Sequence, residues 1–455
     1  MQNFCVRDIV KATNGTLLCG DINMEVCNVS TDSNNISDKT LFVPIIGERV
    51  DAHKFIDSAI SNGAVAVLTS EHDEMTGEVP FIRVSNTTMA LQEIGKAYGN
   101  KMIMPKIGVT GSVGKTTTKE MIACALSAGY RVFKTSGNSN SQIGVPLTLL
   151  KIDMEDQIAV IEMGMSMRGE MSRLAELVEL DDAVITNIGV SHIEQLKTRD
   201  GICDEKFHIE DAVHTEDGVI FINGDDEILK RRKQDLKHRV ITFGLNPDND
   251  YYATDIKVKN GGISFHVNIK NKGSYRAEIN VLGEHNVRNA LVAIAVAYRH
   301  GVPIPDAVKA LSEYKGVSMR QQISVFNEVT LIDDSYNASP DSMKAGIDVL
   351  CSVENKGRKI AVLADMLELG DNSSEYHREV GEYISGKNID ELVLFGTYAE
   401  NIGKGSDKKY TCFETREDIN DYLKNTLKQG DAVLFKGSRG MKLNECVDFL
   451  KGGLE

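Results

Sequence analysis

In Lys106-Ile-Gly-Val-Thr-Gly-Ser-Val-Gly-Lys-Thr-Thr-Thr-Lys-Glu120 an apolar run enters a glycine-rich turn and leaves it as a helix led by Lys-Thr. That order builds a phosphate cradle. Gly111 and Gly114 let the turn, completed by Ser112 and Val113, bring its N–H groups close to a polyphosphate. Lys115 supplies a point charge, Thr116 offers a hydroxyl to magnesium, and the helix running on through Thr117 points its positive end at the anion. The place six before the lysine holds Val109 rather than glycine, so this is the shorter Thr-Gly-x-x-Gly-Lys-Thr form. The chemistry expected of it is driven by ATP.

Other chemistry-bearing residues fall at the ends of apolar runs, where the ligands of open α/β sheets bind. Residues 158–162 are apolar until Glu162, and a carboxylate there needs a cation or a donor as partner; magnesium is the expected one. The run 183–188 leads into Gly189-Val-Ser-His-Ile-Glu194, which sets His192 and Glu194 just past the same kind of edge. Polar satisfaction alone would also explain that histidine. Lys206 follows Asp204 and Glu205, acids that could simply pair with it on a helix surface. Asn286 and Asn289, three apart at the start of an Ala/Val-rich helix, share a face, and capping accounts for only one of them. Asp333 and Asp334 open a polar strand-to-helix turn and call for a cationic or hydroxyl partner. Lys436, Ser438 and Arg439 end the last apolar run, either as a clamp for anionic oxygens or as a solvated basic turn.

The elements that must position these residues alternate. Up to about residue 84 short apolar runs at 40–44 and 64–68 flank a helical pattern at 53–61, a small α/β unit closed by a strand at 81–84. A helix-like segment at 87–98 leads through Pro105 to the phosphate-loop strand. Strands are expected at 107–110, 157–162, 182–188, 218–223 and 239–243, between helices, which argues for a mostly parallel sheet covered on both faces. Residues 250–282 read as an antiparallel appendage, followed by a helix at 286–299. A last α/β set has strands at 329–333, 359–363, 391–395 and 432–435. The expected domains are 1–84, 85–316 and 317–455.

Bulk properties fit a multidomain protein. The 455 residues exceed one ordinary core, and 51 Lys+Arg against 66 Asp+Glu give a net charge of -15, which disfavours general nucleic-acid binding. Eight cysteines lie scattered without a C-x-x-C pair, so neither zinc nor a disulfide framework is expected. Residues 1–10 lack a signal peptide's apolar core and no run reaches membrane-spanning length; the protein reads as cytoplasmic, with no membrane insertion.

Taken together, Thr110-Gly-Ser-Val-Gly-Lys-Thr-Thr117, Glu162-Met-Gly-Met, Thr186-Asn-Ile-Gly-Val-Ser-His192, Gly283-Glu-His-Asn-Val-Arg-Asn289, Asp334-Ser-Tyr-Asn-Ala-Ser-Pro340 and Lys436-Gly-Ser-Arg439 resemble the Mur ligase family of ATP-dependent amide-bond synthetases. Leu363-Ala-Asp-Met-Leu-Glu-Leu-Gly370 with His377, and Gly137-Asn-Ser-Asn140 before Ile143-Gly-Val-Pro146, are similar to the branch acting on UDP-N-acetylmuramoyl-tripeptide and D-Ala-D-Ala. The resemblance implies three α/β domains: a small N-terminal one for the UDP-sugar, a central P-loop-type ATPase and a C-terminal Rossmann-like domain that brings the amine. It implies an acyl phosphate made from ATP with two magnesium ions; a monomer is expected only by default. By the same resemblance Lys115 steadies the β- and γ-phosphates, Thr116 and Glu162 hold one magnesium, and His192 helps hold the second beside a carbamylated Lys206. Asn286 and Asn289 would lie near adenine, with Arg320 and Asp334 reaching phosphate and ribose. Ser33, Asn138, Asn140, Tyr336, Asn337, Ser339, Lys436, Ser438 and Arg439 would contact the other substrates. Three positions depart from the family pattern. Asn34 stands for the arginine of Asp-Ser-Arg, Ala52 for the glycine of Asp-Gly-His, and Ser141 for the second of two asparagines. All three touch the sugar-nucleotide side, where Leu41-Phe-Val-Pro-Ile-Ile-Gly-Glu48 still matches, so the same pocket with altered contacts is expected. A family member of the folylpolyglutamate or cyanophycin type, or a non-catalytic nucleotide-binding protein, is the alternative.

Overall fold

A computed structural model describes residues 1–47, 49–259 and 261–454; Glu48, the end of the matching N-terminal segment, lies outside the described residues. Three α/β units follow one another, each built on its own sheet. The first sheet runs in the order Thr16–Cys19, Phe81–Arg83, Ala64–Thr69, Thr40–Phe42, Asn28–Ser30, parallel except for the first pair. Thr87–Gly99 is helical, capped by Asn86 through its side-chain oxygen, and connects this unit to the second.

Among the described residues the central sheet has nine strands. Its middle is Val219–Asn223, Asp182–Ile185, Lys106–Thr110, Ile158–Glu162, all parallel, with Val132–Lys134 at one edge. The Lys106–Thr110 and Ile158–Glu162 strands are buried along their whole length, which explains why they read as unbroken apolar runs rather than alternating ones. Successive side chains still serve opposite faces. Ile158 and Val160 pack with the helices Lys115–Leu126 and Glu284–Arg299, while Ala159 and Ile161 pack with Thr87–Gly99 and Glu170–Leu177. The first of these cores runs on into the C-terminal unit through Ile332, Met343 and Ile347, and the second into the N-terminal unit through Phe4, Val6 and Leu41.

Residues 250–282 are not a separate appendage. Tyr251–Lys259 pairs in parallel with Arg239–Gly244, at Phe243 with Tyr251 and Gly244 with Tyr252, and the antiparallel strands Gly262–Ile269 and Gly273–Ile279 extend the same sheet. Their apolar alternates, Phe265, Val267, Ala277 and Ile279, need a partner face and find it in the core beneath Glu284–Arg299. The expected strand at 182–188 stops at Ile185, because the chain turns there to meet the phosphate loop. The third sheet runs Gln322–Phe326, Val329–Asp333, Ala432–Lys436, Lys359–Ala364, Glu391–Phe395, Lys409–Phe413, with only the first pair antiparallel. Among the described residues no helix is long and apolar enough to cross a membrane.

Candidate active site

The phosphate loop takes its shape from two glycines and from the neighbouring strand end. Gly111 has φ +148°, and a Cβ there would sit 1.9 Å from Thr186 Oγ1; Gly114, at φ +85°, caps the helix Lys115–Leu126 in the left-handed region. The Val113 N–H donates to Asn187 Oδ1 at 2.8 Å, and Thr186 Oγ1 donates to the Val113 carbonyl at 2.6 Å. Gly189 N–H donates to Ser112 Oγ at 2.9 Å. The segment after Asp182–Ile185 therefore clamps the loop from the side. Lys115 folds over it and donates to the Gly111 carbonyl at 2.8 Å. Burial holds its ammonium below the usual lysine range, against the pull of Glu162.

Glu162 lies at the end of its strand, 1% exposed. Its N–H donates to Thr135 Oγ1 at 2.9 Å, and its Oε1 accepts from Asn140 Nδ2 at 2.7 Å and from Thr116 Oγ1 at 3.2 Å. Oε2 is buried with no hydrogen-bond partner. The nearest cation is Lys119 Nζ at 3.6 Å, which itself donates to the Thr135 carbonyl at 2.6 Å. A bare carboxylate oxygen beside a threonine hydroxyl in a buried, polar corner is a donor set that suits a hard divalent cation. Thr116 and Glu162 thus fit the magnesium role, whereas Asn140 supports Glu162 by donating to it.

His192 starts the short helix Ile193–Leu196 with a left-handed φ of 64°, and its Nδ1 lies 2.7 Å from Glu368 Oε2 of the C-terminal unit. Lys206 is 1% exposed on the helix Arg199–Phe207. The acids beside it in sequence do not bury it as a surface pair. Glu205 turns instead to the helix Glu170–Leu177 and accepts from Gly169 N–H at 2.9 Å and Met171 N–H at 2.8 Å. Burial, with Lys115 as a like-charged neighbour, pushes the Lys206 ammonium well below its ordinary range.

Asn286 and Asn289 belong to a chain of side-chain hydrogen bonds. Thr118 Oγ1 donates to Asn289 Oδ1 at 3.0 Å, Asn289 Nδ2 to Asn286 Oδ1 at 3.1 Å, and Asn286 Nδ2 to the Leu282 carbonyl at 2.7 Å. His285 Nε2 pairs with Gln321 Oε1 at 2.9 Å, which carries the chain into the C-terminal unit. Burial lowers the His285 imidazole to about 4. From that unit Arg320 stacks on Tyr336, its guanidinium carbon 4.2 Å from the ring centre. The paired aspartates find their partners within the protein: Ser335 Oγ donates to Asp333 at 2.5 Å, and Lys436 Nζ lies 2.7 Å from Asp334. Lys436 also donates to the Asn337 carbonyl at 3.0 Å, so it secures this turn rather than lying free as a clamp.

These parts surround one cleft of about 700 Å³ between the central and C-terminal units. It is lined by Ser112 to Thr117, Asn138, Asn140, Glu162, His192, Asn286 and Asn289 from one side, and by Arg320, Asp334, Tyr336, Asn337, Ser339 and Lys436 from the other. Models of known families match along the chain: the Mur ligase family, catalytic domain, at residues 25–99, the Mur ligase middle domain at 109–297, and the Mur ligase, glutamate ligase domain, at 319–439. The UDP-N-acetylmuramoyl-tripeptide–D-alanyl-D-alanine ligase of Bacillus subtilis is 40% identical over 454 residues, covering 97% of each chain. The chain belongs to the Mur ligase family. The ligase of the same name from Escherichia coli is 33% identical over 99% of each chain. Among solved structures, MurF from Acinetobacter baumannii superposes with a TM-score of 0.90 at 30% identity, over 99% of both chains. MurF from Thermotoga maritima in complex with ADP gives 0.83 at 28% identity, over 94% of this chain and 97% of that one.

Five candidate site residues of this Mur ligase, Gly111 of the phosphate loop among them, are not among those lining the cleft. Lys206 is buried and does not line it. Ser33 lines a separate hollow of about 340 Å³ in the N-terminal unit with Asp32, Asn34, Ala52 and Phe55. Ser438 accepts from Leu367 N–H at 2.9 Å, and Arg439 lies 6.0 Å from the Tyr336 ring centre and 3.3 Å from Asn444 Oδ1. Other residues went unread in the sequence. Lys119, one helical turn after Lys115, was open to discovery by its spacing; Asn187 stands within the Thr186–His192 motif, but its role and that of Gln321 had no local signal, since each acts through a contact distant in sequence.

Proposed function

We propose that this Mur ligase joins D-alanyl-D-alanine to UDP-N-acetylmuramoyl-tripeptide, using ATP and releasing ADP and phosphate, in the synthesis of peptidoglycan precursors. The full-length match to relatives named for that reaction carries the reading, and the cleft supplies the parts it needs. A carboxylate oxygen of the tripeptide attacks the γ-phosphorus of ATP, the bond to the bridging oxygen breaks, and an acyl phosphate and ADP result. The amine of D-Ala-D-Ala then attacks the acyl carbon; the C–O bond to phosphate breaks and the amine loses its proton. Both substrates of the first step are anions, so cations must gather around them. Lys115 lies at the phosphate loop, and Arg320 approaches from the C-terminal unit.

Thr116 and Glu162 would hold one magnesium, His192 and a carbamylated Lys206 the second. Bound there, the two ions would neutralise phosphate charge and polarise the transferring phosphoryl group. The neutral amine favoured at buried Lys206 is the form that adds carbon dioxide, losing a proton to become an anionic carbamate. We assign the UDP-sugar to the hollow at Ser33, place the domain boundaries at 84/85 and 316/317, and take the enzyme to be a cytoplasmic monomer.

The direct test is phosphate release from ATP and magnesium with each substrate alone and with both, followed by mass spectrometry. Release that requires both, with a pentapeptide product, is the expected result. No turnover with this pair would overturn the assignment and point to another carboxylate.

A further inference from the structure

We propose that Glu368 is a positioning residue for ligation: carried in by the C-terminal unit, its carboxylate fixes the His192 imidazole so that Nε2 faces the cleft. The inference rests on His192 serving the cleft as described above. Glu368 Oε2 lies 2.7 Å from His192 Nδ1. A histidine has two ring nitrogens, and the hydrogen bond made by one sets the role of the other. With the Nδ1 proton held by a carboxylate, Nε2 keeps its lone pair, and the ring lines the cleft.

The turn that carries Glu368 is built to hold it there. Met366 N–H donates to the buried His377 Nε2 at 2.9 Å, and Leu367 N–H donates to Ser438 Oγ at 2.9 Å, so the backbone is pinned at the two residues that lead into Glu368. His377 is itself tied through Nδ1 to the Ser373 carbonyl at 2.6 Å. Glu368 then adopts φ 63°, and His192 φ 64°, left-handed conformations that side-chain-bearing residues rarely take. The surrounding seam is close. A Cβ on Gly370 would lie 3.4 Å from Glu194 Cγ, and one on Gly189 only 2.5 Å from Asp341 Oδ2.

The pair is a poor strut. The two side chains are 26% and 63% exposed, and exposed ion pairs stabilise a fold little. Its effect is on orientation, and it exists only while the C-terminal unit is docked. Opening the cleft removes the partner of His192, which ties the phosphoryl-transfer geometry to closure.

The test uses the full chain, labelled with 15N in the histidine rings, at pH 8 in EDTA with a non-hydrolysable ATP analogue, so that the cleft is closed. His192 is assigned by the signal lost in His192→Ala. In the wild type we expect it as the Nδ1–H tautomer. Glu368→Ala loses that bias, whereas Glu368→Gln keeps it, because the amide oxygen still accepts. In ligation, Glu368→Ala lowers kcat by about 10- to 100-fold with the KM for ATP unchanged. Glu368→Gln retains most of the rate, and Glu368→Ala adds no further loss in a His192→Ala background. An undiminished loss in that background, or a wild-type ring without the Nδ1–H tautomer, overturns the proposal. If the wild type does not turn over the two substrates, the functional reading fails while the ring spectrum still decides the contact.

Discussion

Glu162 presents one carboxylate oxygen held by Asn140 and Thr116 and one buried without a hydrogen bond, faced by Lys119 Nζ at 3.6 Å, and a magnesium role for it can be tested. Glu162→Gln should weaken magnesium-dependent ATP binding by roughly 10-fold or more, with binding in EDTA unchanged by calorimetry. Equal weakening in both buffers would refute a metal role. Lys206→Ala should abolish ligation while leaving ATP binding largely intact; full activity in buffer free of bicarbonate and short carboxylates would exclude the carbamate. His285 gives the site a pH limit on stability. Burial drops its pKa from 6.5 to about 4, so the folded state keeps it neutral. The stabilisation is complete above the unfolded value and is lost as pH falls from there toward 4, by about 1.4 kcal/mol per unit. Between pH 7 and 5 the free energy of unfolding of the wild type in urea titrations should fall by about 2 kcal/mol more than that of His285→Asn. Most of these residues could be found in the sequence because each sits where an apolar run meets a glycine turn or a lone charge. What Asn140 and Lys436 do was illegible, since their partners, Glu162 and Asp334, are set by the fold.

The helix Glu170–Leu177 begins under the cleft wall with a glycine and no capping side chain of its own, and the carboxylate of Glu205 accepts from its first N–H groups. An anion at a helix start satisfies orphan donors and the positive helix end together. Glu205→Ala should therefore cost about 1.5–3 kcal/mol in urea unfolding, far more than an exposed acid would. A loss under 0.5 kcal/mol, the range of surface changes, would show the cap to be dispensable. The same element scale shows where sequence reading stopped. Strands buried on both faces, such as Ile158–Glu162, announce themselves as apolar runs. The edge strands Val132–Lys134, Gln322–Phe326 and Lys409–Phe413 did not, because their side chains are largely exposed and form no apolar run.

The cleft draws its walls from two units joined at a linker in which Gly316, Met319 and Gln321 all have positive φ, a bend that small rotations could readjust. Small-angle scattering should show a smaller radius of gyration with ATP analogue and both substrates than without; identical curves would count against closure. The order of the central sheet has a consequence for synthesis. Lys106–Thr110 is its first strand in the chain, yet it lies in the middle, between Ile158–Glu162 and Asp182–Ile185, and its loop is clamped by Asn187 and Gly189. At about 5–20 residues per second, the ribosome releases the phosphate-loop residues several seconds before the segments that shape them. The nascent chain thus carries the lysine and both glycines for a time without a nucleotide site. A nucleotide held by this loop as the finished sheet shapes it would stabilise the closed domain over the nascent chain by mass action.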